Sequence, residues 1–449
     1  MYCKTQSFLI LGASKSGFAV ATYLLSLDAK CYVNDDSSGG KTRENLKILS
    51  ECGAVIVKRE DVDKVIDAID VLIISPGVPI NHAVAVKCKA AKKRIIGELE
   101  FGFSRFNPPT VAITGTNGKT TTVSLISSVL KRTGIRFETV GNIGLPVSSV
   151  LSKTDKDTLF LTEVSSFQLE SVSSFCPHIA CVLNIAPDHL ERHYSMDNYV
   201  FLKKRIYKNQ RESEYTVLNY DDETVRGFAV QTSGKIVWVS LKEVVDGAYL
   251  KEGFIFFKGE PVISVSDLAL KGEHNVYNAA FAVAVSKLLG VKNEDICGGL
   301  MEFEGVKHRL EKVAEKDGII FYNDSKSTNT AACINALSFM DRPFTLVLGG
   351  SEKGEKYDEL FKRIAESKCK YVVITGASRY AMLSSARGVG LNEFTLTDDF
   401  YTALNIAFRS VKSGEAVLFS PACASFDRFN GYEERGEAFI GAVKNFVGK

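Results

Sequence analysis

The sequence of 449 residues lacks a long apolar run, an excess of charge of one sign and any Cys-x-x-Cys pair. No run approaches the roughly 18 apolar residues that a membrane-spanning helix needs. Lys and Arg number 55 and Asp and Glu 53, so the net charge of +2 gives no bulk attraction to nucleic acid or to an acidic membrane surface. We therefore expect neither nucleic acid nor a membrane as partner; a monomer that acts on small molecules is a separate expectation.

The ten cysteines are scattered, and only Cys176 and Cys181 lie close together in the sequence. In a chain of this length such cysteines are typical of reduced, buried side chains and not of a disulfide or zinc framework. The apolar run at residues 8–12 is soon followed by Lys15, so it is too short for the hydrophobic part of a secretory signal. These features predict a cytoplasmic protein.

What the sequence does contain is an ordinary globular composition, 45% hydrophobic and 24% charged. Its length corresponds to about three domains. Apolar runs alternate with helical stretches, which predicts crossover connections, parallel sheets and an α/β fold. Two prolines after Asn107 mark a linker, and the strand pattern restarts near Gly305. The predicted domains are residues 1–107, 108–305 and 306–449, of which the first and the third are Rossmann-like.

The apolar runs and turn residues also predict individual elements. The predicted strands are residues 7–11, 31–34, 71–74, 110–113, 158–162, 179–185, 319–322, 344–348, 371–375 and 416–419. The predicted helices are residues 18–26, 120–132 and 275–289, and Gly134 is expected to cap the second of them. Short β-rich runs between residues 215 and 265 predict a small subsidiary β-sheet in the central domain.

The strongest local motif lies between a predicted strand and a predicted helix. It consists of Gly115, Thr116, Asn117, Gly118, Lys119, Thr120 and Thr121. The backbone N–H groups of such a loop and the following helix N-terminus attract phosphate. Lys119 would neutralise phosphate charge, and the Thr120 hydroxyl would bind Mg²⁺. Ile113 stands where the full pattern has a glycine, but the order of strand, loop and helix favours a P-loop ATPase-type central domain over a plain glycine turn.

Two further strands of the central domain end in candidate cation ligands. Glu163 follows residues 158–162, and His189 follows residues 179–185. Because the carboxyl ends of parallel strands meet at one edge of a sheet, both side chains are expected to converge on a cation near the phosphates. A buried histidine is the alternative interpretation.

Weaker patterns lie in the other two domains. Gly12, Gly17 and Asp35 partly match a dinucleotide-binding pattern, which permits a nucleotide without identifying it. In the third domain, polar segments follow three predicted strands and predict a binding rim. These segments are residues 323–329, 349–354 and 420–427.

Taken in order, the motifs resemble the Mur ligase family, the ATP-dependent amide-forming enzymes of peptidoglycan precursor synthesis. The resemblance runs nearly end to end and rests on residues 115–121, 163–170, 184–189, 203–207, 272–278, 308–309 and 324–329. Residues 349–354 and 420–425 are similar to the member that adds D-glutamate to UDP-N-acetylmuramoyl-L-alanine. The implied substrates are therefore that sugar nucleotide, D-glutamate and ATP.

The resemblance also implies a set of site residues. The UDP-sugar would be bound by Ser14, Asp35, Ser75, Gly77 and Asn142. ATP would be bound by the loop at residues 115–121 and by Asn275, Asn278, Arg309 and Asp324. Mg²⁺, expected as two ions, would be bound by Thr120, Glu163 and His189. D-Glutamate would be bound by Thr328, Lys353, Ser425 and Tyr432, and the catalytic residues would be Lys119, His189, Lys203 and Lys326.

In this family a lysine before Arg-Ile-Tyr is carbamylated and helps to organise a second Mg²⁺. The spacing selects Lys203 over the adjacent Lys204, and an exposed helical lysine is the plain alternative. The sequence departs from the family pattern in three places. Glu352 replaces an aspartate, Ala13 replaces a glycine, and Asp36-Ser37 supplies no arginine to the sugar-nucleotide site.

Other functions remain open at this point. Within the class, the alternatives are a Mur ligase that adds another amino acid and a folylpolyglutamate synthase. A nicotinamide dehydrogenase would explain Gly12, Gly17 and Asp35, but the motif at residues 115–121 would then have no function. A non-catalytic ATP-dependent switch protein would bind or hydrolyse ATP without an amine-dependent product.

Overall fold

The computed structural model describes residues 6–36, 40–352, 356–391 and 393–448. Over these ranges the strands form three sheets, and the chain divides into two compact units, Met1–Phe303 and Glu304–Lys449. The break after Phe303 lies close to the predicted start of the third domain, whereas the predicted boundary at residue 107 lies inside the first unit. The predicted α/β class with parallel sheets is confirmed. None of the helices in these ranges is long and apolar enough to cross a membrane.

The first sheet has five described strands, all parallel, in the order β3-β2-β1-β4-β5. The strands are β1 (Ser7–Leu11), β2 (Lys30–Asn34), β3 (Val55–Ile56), β4 (Val71–Ile74) and β5 (Arg94–Gly97). The helices are α1 (Lys15–Ser26), α2 (Gly40–Glu51), α3 (Asp63–Ile66), α4 (Ala83–Ala90) and α5 (Glu98–Phe106). Phe8 and Ile10 belong to one core while Leu9 and Leu11 belong to another, because successive side chains of a strand point to opposite faces. A parallel sheet covered on both faces therefore reads as a continuous apolar run.

The second sheet has nine described strands in the order β14-β13-β12-β11-β10-β9-β6-β8-β7. The strands are β6 (Thr110–Thr114), β7 (Phe137–Gly141), β8 (Leu159–Glu163), β9 (Ile179–Val182), β10 (Tyr215–Asn219), β11 (Lys235–Ser240), β12 (Gly247–Lys251), β13 (Phe254–Phe257) and β14 (Glu260–Ser264). The helices are α6 (Lys119–Leu130), α7 (Val147–Val150), α8 (Ser166–Leu169), α9 (Leu190–His193), α10 (Met196–Lys204), α11 (Glu223–Arg226), α12 (Glu273–Leu288) and α13 (Asn293–Met301).

The structure corrects two expectations for this region. The strands after residue 215 do not form a separate subsidiary sheet, because β10 pairs with β9 and they extend the central sheet, with β13 and β14 antiparallel at its end. Gly247 allows this extension: a Cβ there would lie 2.0 Å from the Trp238 carbonyl oxygen. Helix α6 ends at Leu130 with Lys131 as its C-cap, so Gly134 does not cap it.

The third sheet has six described strands in the order β15-β16-β20-β17-β18-β19, and only the β15–β16 pair is antiparallel. The strands are β15 (Glu311–Lys316), β16 (Ile319–Asn323), β17 (Phe344–Gly349), β18 (Cys369–Thr375), β19 (Phe394–Leu396) and β20 (Ala416–Phe419). The helices are α14 (Thr330–Leu337), α15 (Asp358–Glu366), α16 (Arg379–Gly388), α17 (Phe400–Ser410) and α18 (Tyr432–Val447). The prediction omitted β15, a charged edge strand that contains no apolar run, and the three-residue β19.

Helix α5 joins the first two sheets through two acidic side chains. Glu100 accepts hydrogen bonds from the backbone N–H groups of Ser173, Ser174 and Phe175 at 2.8–3.0 Å. Glu98 is fully buried, and its Oε1 accepts from the Ser148 N–H at 2.7 Å. Burial raises the pKa of the Glu98 carboxyl, and within the described chain its Oε2 has no hydrogen-bond partner.

The Glu98→Gln variant should become more stable relative to the wild type as the pH rises. The raised pKa means that the folded state holds the Glu98 proton more tightly than the unfolded state does. The stability that this proton contributes to the wild type is therefore lost as the pH rises from the pKa of the unfolded state toward the pKa of the folded state. Glutamine keeps an acceptor for Ser148 and does not titrate. Chemical denaturation at a series of values between about pH 5 and about pH 8 should show this relative gain for the variant. Parallel pH profiles for the two proteins would contradict this account of Glu98.

Candidate functional site

The loop between β6 and α6, residues 115–118, has the backbone geometry of an anion-binding turn and is called the phosphate loop below. Gly115 and Gly118 adopt positive φ values of 155° and 82°. A Cβ on Gly118 would lie 2.4 Å from Asn278 Oδ1, so glycine is required both for its conformation and for space. Helix α6 begins immediately afterwards at Lys119, which directs its N-terminal N–H groups toward the loop. The strand, loop and helix therefore follow one another as the sequence predicts.

Polar side chains on both sides hold this loop in place. The Asn117 N–H donates to Asn184 Oδ1 at 2.8 Å, and Asn184 Nδ2 donates to the Asn117 carbonyl at 3.1 Å. Thr116 Oγ1 accepts from the Ala186 N–H at 2.9 Å and lies 3.1 Å from the Tyr199 hydroxyl. Lys119 Nζ donates to the Gly115 and Thr116 carbonyls at 2.7 and 2.8 Å. The ammonium group is therefore kept over the loop to which it belongs.

Glu163 lies at the centre of a hydrogen-bonded group at the end of β8. Thr120 Oγ1 donates to Glu163 Oε2 at 2.8 Å, and Asn142 Nδ2 donates to Glu163 Oε1 at 2.7 Å. Glu163 is 1% exposed. A hydroxyl and a carboxylate are the oxygen ligands that Mg²⁺ prefers. The structure thus brings together Thr120 and Glu163, which the resemblance assigns to Mg²⁺, and Asn142, which it assigns to the UDP-sugar.

Lys203 is buried beneath the same loop. It is 1% exposed, and its Nζ donates to the Gly115 carbonyl at 2.8 Å and to Thr114 Oγ1 at 3.3 Å. Burial, reinforced by the nearby positive charge of Lys119, holds the pKa of Lys203 well below its ordinary value. Lys204 instead lies with its Nζ 4.8 Å from the centre of the Phe228 ring, partly exposed. Of the two neighbouring lysines, only Lys203 reaches the phosphate loop.

His189 is the N-cap residue of the short helix α9 and has a left-handed conformation with φ of 52°. Its ring packs against Phe167 with 4.8 Å between centroids, and its nitrogens lie 3.6 Å from Asp188 Oδ2 and 3.4 Å from Glu191 Oε1. Over the described ranges, no group of three or more His, Cys, Asp or Glu side chains could hold a metal ion by itself. The convergence of His189 and Glu163 on one cation stays a prediction.

The two asparagines assigned to ATP stand on the buried first turns of α12, beside the phosphate loop. Asn278 Nδ2 donates to Asn275 Oδ1 at 3.2 Å, and Asn278 Oδ1 accepts from Thr122 Oγ1 at 3.2 Å. Asn275 Nδ2 donates to the Lys271 carbonyl at 2.9 Å. Asn278 therefore links α12 to the first turn of α6.

The residues assigned to the UDP-sugar surround the carboxyl ends of β1, β2 and β4. Asp35 Oδ2 accepts from the Ala13 N–H at 2.6 Å, and Ser75 Oγ donates to the Gly12 carbonyl at 3.0 Å. Ser14 is the N-cap residue of α1, although its side chain makes no capping hydrogen bond there. Gly77 belongs to the turn that follows β4. These four residues lie on adjoining loops of the first sheet.

In the second unit, Asp324 organises the loop after β16. It is fully buried, and its carboxylate accepts hydrogen bonds from Ser327 Oγ, from Ser420 Oγ at 2.7 Å and from the Leu310 N–H at 3.2 Å. Burial raises the pKa of Asp324 to about 6, against the opposing effect of its hydrogen bonds and of Arg309. Asp324 and Arg309, both assigned to ATP, thus influence each other electrostatically.

The residues assigned to D-glutamate lie on the loops at the same end of the third sheet. Ser425 is buried in the loop after β20, and Tyr432 begins α18. Lys326 Nζ lies 5.1 Å from the centre of the Tyr432 ring, and the Thr328 N–H donates to the Lys326 carbonyl at 2.9 Å. Lys353 lies outside the described residues.

Sequence reasoning missed a buried arginine in this unit. Arg435 is 2% exposed, and its guanidinium donates to Ser325 Oγ, the Ser325 carbonyl and the Ala424 carbonyl at 2.8–3.1 Å. Burial lowers the pKa of Arg435 to about 10. Its position ten residues after the polar 420–425 segment was the only sequence signal, and that spacing has no recognised pattern.

Comparison with known proteins identifies the family of the chain. Three family models match the chain: the Mur ligase MurD-like N-terminal domain at residues 6–97, the Mur ligase middle domain at 113–286 and the Mur ligase glutamate ligase domain at 308–423. The UDP-N-acetylmuramoylalanine–D-glutamate ligase of Caldanaerobacter subterraneus subsp. tengcongensis is 38% identical over 446 residues, covering 99% of both chains. The chain belongs to the Mur ligase family.

Further relatives and solved structures support the assignment. The Clostridioides difficile protein of the same name is 37% identical to this Mur ligase over 454 residues, covering 99% of this chain and 100% of its own. The UDP-N-acetylmuramate–alanine ligase of Thermotoga maritima superimposes with a TM-score of 0.65 at 19% identity, covering 98% of this chain and 100% of its own. The MurF ligase of the same organism in complex with ADP gives a TM-score of 0.60 at 17% identity, covering 99% and 100%. These structures show that the Mur ligase has the three-domain fold of its family.

Gly118→Ala should weaken nucleotide binding by this Mur ligase and lower its stability. A non-glycine residue at the positive φ of Gly118 costs about 1–3 kcal/mol, and the added Cβ would displace Asn278. Titration with a non-hydrolysable ATP analogue, together with the thermal midpoint, measures both effects. The matched control is Gly134→Ala, where a Cβ meets nothing within 4 Å and the variant should behave like the wild type. Equal behaviour of the two variants would contradict the assigned role of the loop.

Proposed function

We propose that this Mur ligase joins the L-alanine carboxylate of UDP-N-acetylmuramoyl-L-alanine to the amine of D-glutamate and converts ATP to ADP and phosphate. The observation that carries the proposal is the 38% identity, over 99% of both chains, to a protein named for this reaction. The phosphate loop, the buried Lys203 and the polar loops of the second unit supply residue types suited to each step.

In the first step, an oxygen of the substrate carboxylate attacks the γ-phosphorus of ATP, the bond to the β-phosphate oxygen breaks, and ADP leaves. Two anions must approach each other, so the site has to cancel negative charge. Lys119 and the N–H groups at the start of α6 would do so. The Lys119 ammonium is already held over the loop by the Gly115 and Thr116 carbonyls, and it would exchange these contacts for phosphate oxygens.

The donor set around Glu163 fits Mg²⁺. The Thr120 hydroxyl and the Glu163 carboxylate are 2.8 Å apart, and Asn142 fixes the second carboxylate oxygen. Thr120 and Glu163 would hold the ion, with His189 as a further ligand. When bound, Mg²⁺ would neutralise charge on the ATP phosphates.

Lys203 is suited to carbamylation because only a neutral amine can attack carbon dioxide. Its lowered pKa raises the fraction of the neutral amine. A bond would form between Nζ and the carbon of CO₂, the amine would lose a proton, and the product would be an anionic carbamate. That anion would stand beneath the phosphate loop, where it would organise a second Mg²⁺.

In the second step, the D-glutamate amine attacks the acyl carbon of the acyl phosphate. The tetrahedral intermediate expels phosphate together with the former carboxylate oxygen, and the nitrogen loses a proton to leave the amide. Thr328, Lys353, Ser425 and Tyr432 would hold the incoming D-glutamate. Lys326 would lie beside the reacting groups, and Asp324, with Arg309, would hold part of the nucleotide.

Phosphate release by the purified protein tests the proposal. ATP, Mg²⁺ and UDP-N-acetylmuramoyl-L-alanine would be supplied with D-glutamate, L-glutamate, L-lysine or no amino acid. Release should require both the sugar nucleotide and D-glutamate, and mass spectrometry should find the matching amide. Release with L-lysine instead would overturn the assigned amino acid, and release that needs no sugar nucleotide would overturn the assigned substrate.

Lys203→Ala should lose most of the ligase activity, about 10- to 100-fold or more, because it removes the group beneath the phosphate loop. Lys204→Ala is the matched control on the neighbouring, partly exposed position and should stay within about twofold of the wild type. Initial rates at saturating substrates measure both. The opposite order of the two variants would refute the choice of Lys203.

A further inference from the structure

Arg192 on α9 bridges two parts of the first unit. Its guanidinium forms a two-pronged ion pair with Glu170, with Nη2 2.7 Å from Oε2 and Nε 3.1 Å from Oε1. The same guanidinium also donates, through Nη1 and Nη2, to three consecutive backbone carbonyls of the turn after β4. These are the carbonyls of Pro76, Gly77 and Val78, at 3.2, 3.3 and 3.1 Å.

The environment makes this bridge more than a surface ion pair. The Arg192 and Glu170 side chains are only 14% and 10% exposed. The guanidinium also lies 4.5 Å from the centre of the Phe167 ring. A planar fork with five N–H donors can satisfy a carboxylate and several carbonyls at once, whereas a lysine ammonium offers only three donors.

The bridge fixes the direction of the peptide groups in the turn. All described peptide bonds are trans, and in a planar trans peptide the N–H points away from the C=O. With the Pro76 carbonyl held by Arg192, the Gly77 N–H therefore points away from Arg192. The Val78 N–H closes the turn onto the Ser75 carbonyl at 2.9 Å. Arg192 thus sets the direction of the Gly77 N–H through the neighbouring carbonyl groups.

The same short segment positions His189. The Phe167 ring that contacts the Arg192 guanidinium also packs against the His189 ring at 4.8 Å. Left-handed residues His189 and Tyr194 flank α9, with φ values of 52° and 66°. The Tyr194 hydroxyl accepts a hydrogen bond from Asn81 Nδ2 at 3.1 Å, which adds a second contact to the segment after β4.

We propose that Arg192 is a positioning residue that sets the turn after β4 for the sugar nucleotide and links that turn to the His189 segment. The inference rests on the proposed function, since it takes the turn containing Ser75 and Gly77 as part of the UDP-sugar site. Arg192 touches no substrate. It acts through the Pro76–Gly77 peptide group on one side and through Phe167 on the other.

The test compares Arg192→Lys, Glu170→Gln and the double variant with the wild type. Arg132→Lys serves as the matched control. Arg132 also forms an ion pair with a glutamate, but this glutamate, Glu302, is the residue after α13 and is not part of the Arg192 bridge. Calorimetric titration with UDP-N-acetylmuramoyl-L-alanine in the absence of ATP gives the affinity directly. Steady-state kinetics then give KM for each substrate, and thermal melting reports folding.

Arg192→Lys should weaken sugar-nucleotide binding about tenfold and raise its KM, with the KM for D-glutamate unchanged. Glu170→Gln should also lower the affinity for the sugar nucleotide. The affinity of the double variant should be no lower than that of the more strongly affected single variant, because both residues act through one bridge. Arg132→Lys should bind as the wild type does. The positive charge that lysine retains at position 192 should not restore the affinity, because an ammonium group cannot hold the three carbonyls and Glu170 together.

Two results would overturn the inference. One is wild-type affinity for the sugar nucleotide in a folded Arg192→Lys protein. The other is an equal loss of affinity for all three substrates together with a lowered thermal midpoint, which would mean a purely structural role. If the wild-type protein itself failed to bind the sugar nucleotide, the proposed function would fail, and that failure would be visible before any variant was compared.

Discussion

The structure of the central site depends on the two hydrogen bonds that orient the Glu163 carboxylate. Thr120 from the first turn of α6 holds one oxygen, and Asn142 from the loop after β7 holds the other. Three elements that are far apart in sequence therefore meet at one buried carboxylate. A buried carboxylate is costly unless it is paired, and the proposed Mg²⁺ would supply an opposite charge at this place. These hydrogen bonds connect the first turn of α6, the loop after β7 and the carboxyl end of β8.

Around this carboxylate the site carries two lysines in different environments. Lys119 stands over the phosphate loop as an ammonium group that can neutralise phosphate. Lys203 lies below the loop, where burial and Lys119 both oppose its protonation. Burial thus gives the two lysines different tendencies to hold a proton, and the proposed roles, anion binding by Lys119 and carbamylation of Lys203, rest on that difference.

Sequence reasoning reached the parts of this architecture that have a local pattern. Buried parallel strands such as β4 read as apolar runs, and the order of strand, loop and helix was enough to identify residues 115–121. The rule that strand ends share one edge grouped Glu163 with His189 near this loop; the structure places Glu163 against Thr120, and the convergence with His189 stays a prediction. The continuation of the central sheet through β10 did not follow, because strand pairing is decided by tertiary packing at positions such as Gly247. Arg192 was also missed, since its carbonyl partners lie more than a hundred residues away and backbone acceptors leave no mark in a sequence.

The fate of the carboxylate oxygen tests the central claim most directly. UDP-N-acetylmuramoyl-L-alanine labelled with ¹⁸O in the alanine carboxylate would be converted with ATP and D-glutamate, and the released phosphate analysed by mass spectrometry. An acyl phosphate intermediate predicts one ¹⁸O atom in the phosphate formed with each amide, because the former carboxylate oxygen leaves with phosphorus. Phosphate that contains no label would show that the carboxylate never received the γ-phosphoryl group, and the account of this site as an ATP-dependent amide ligase would be wrong.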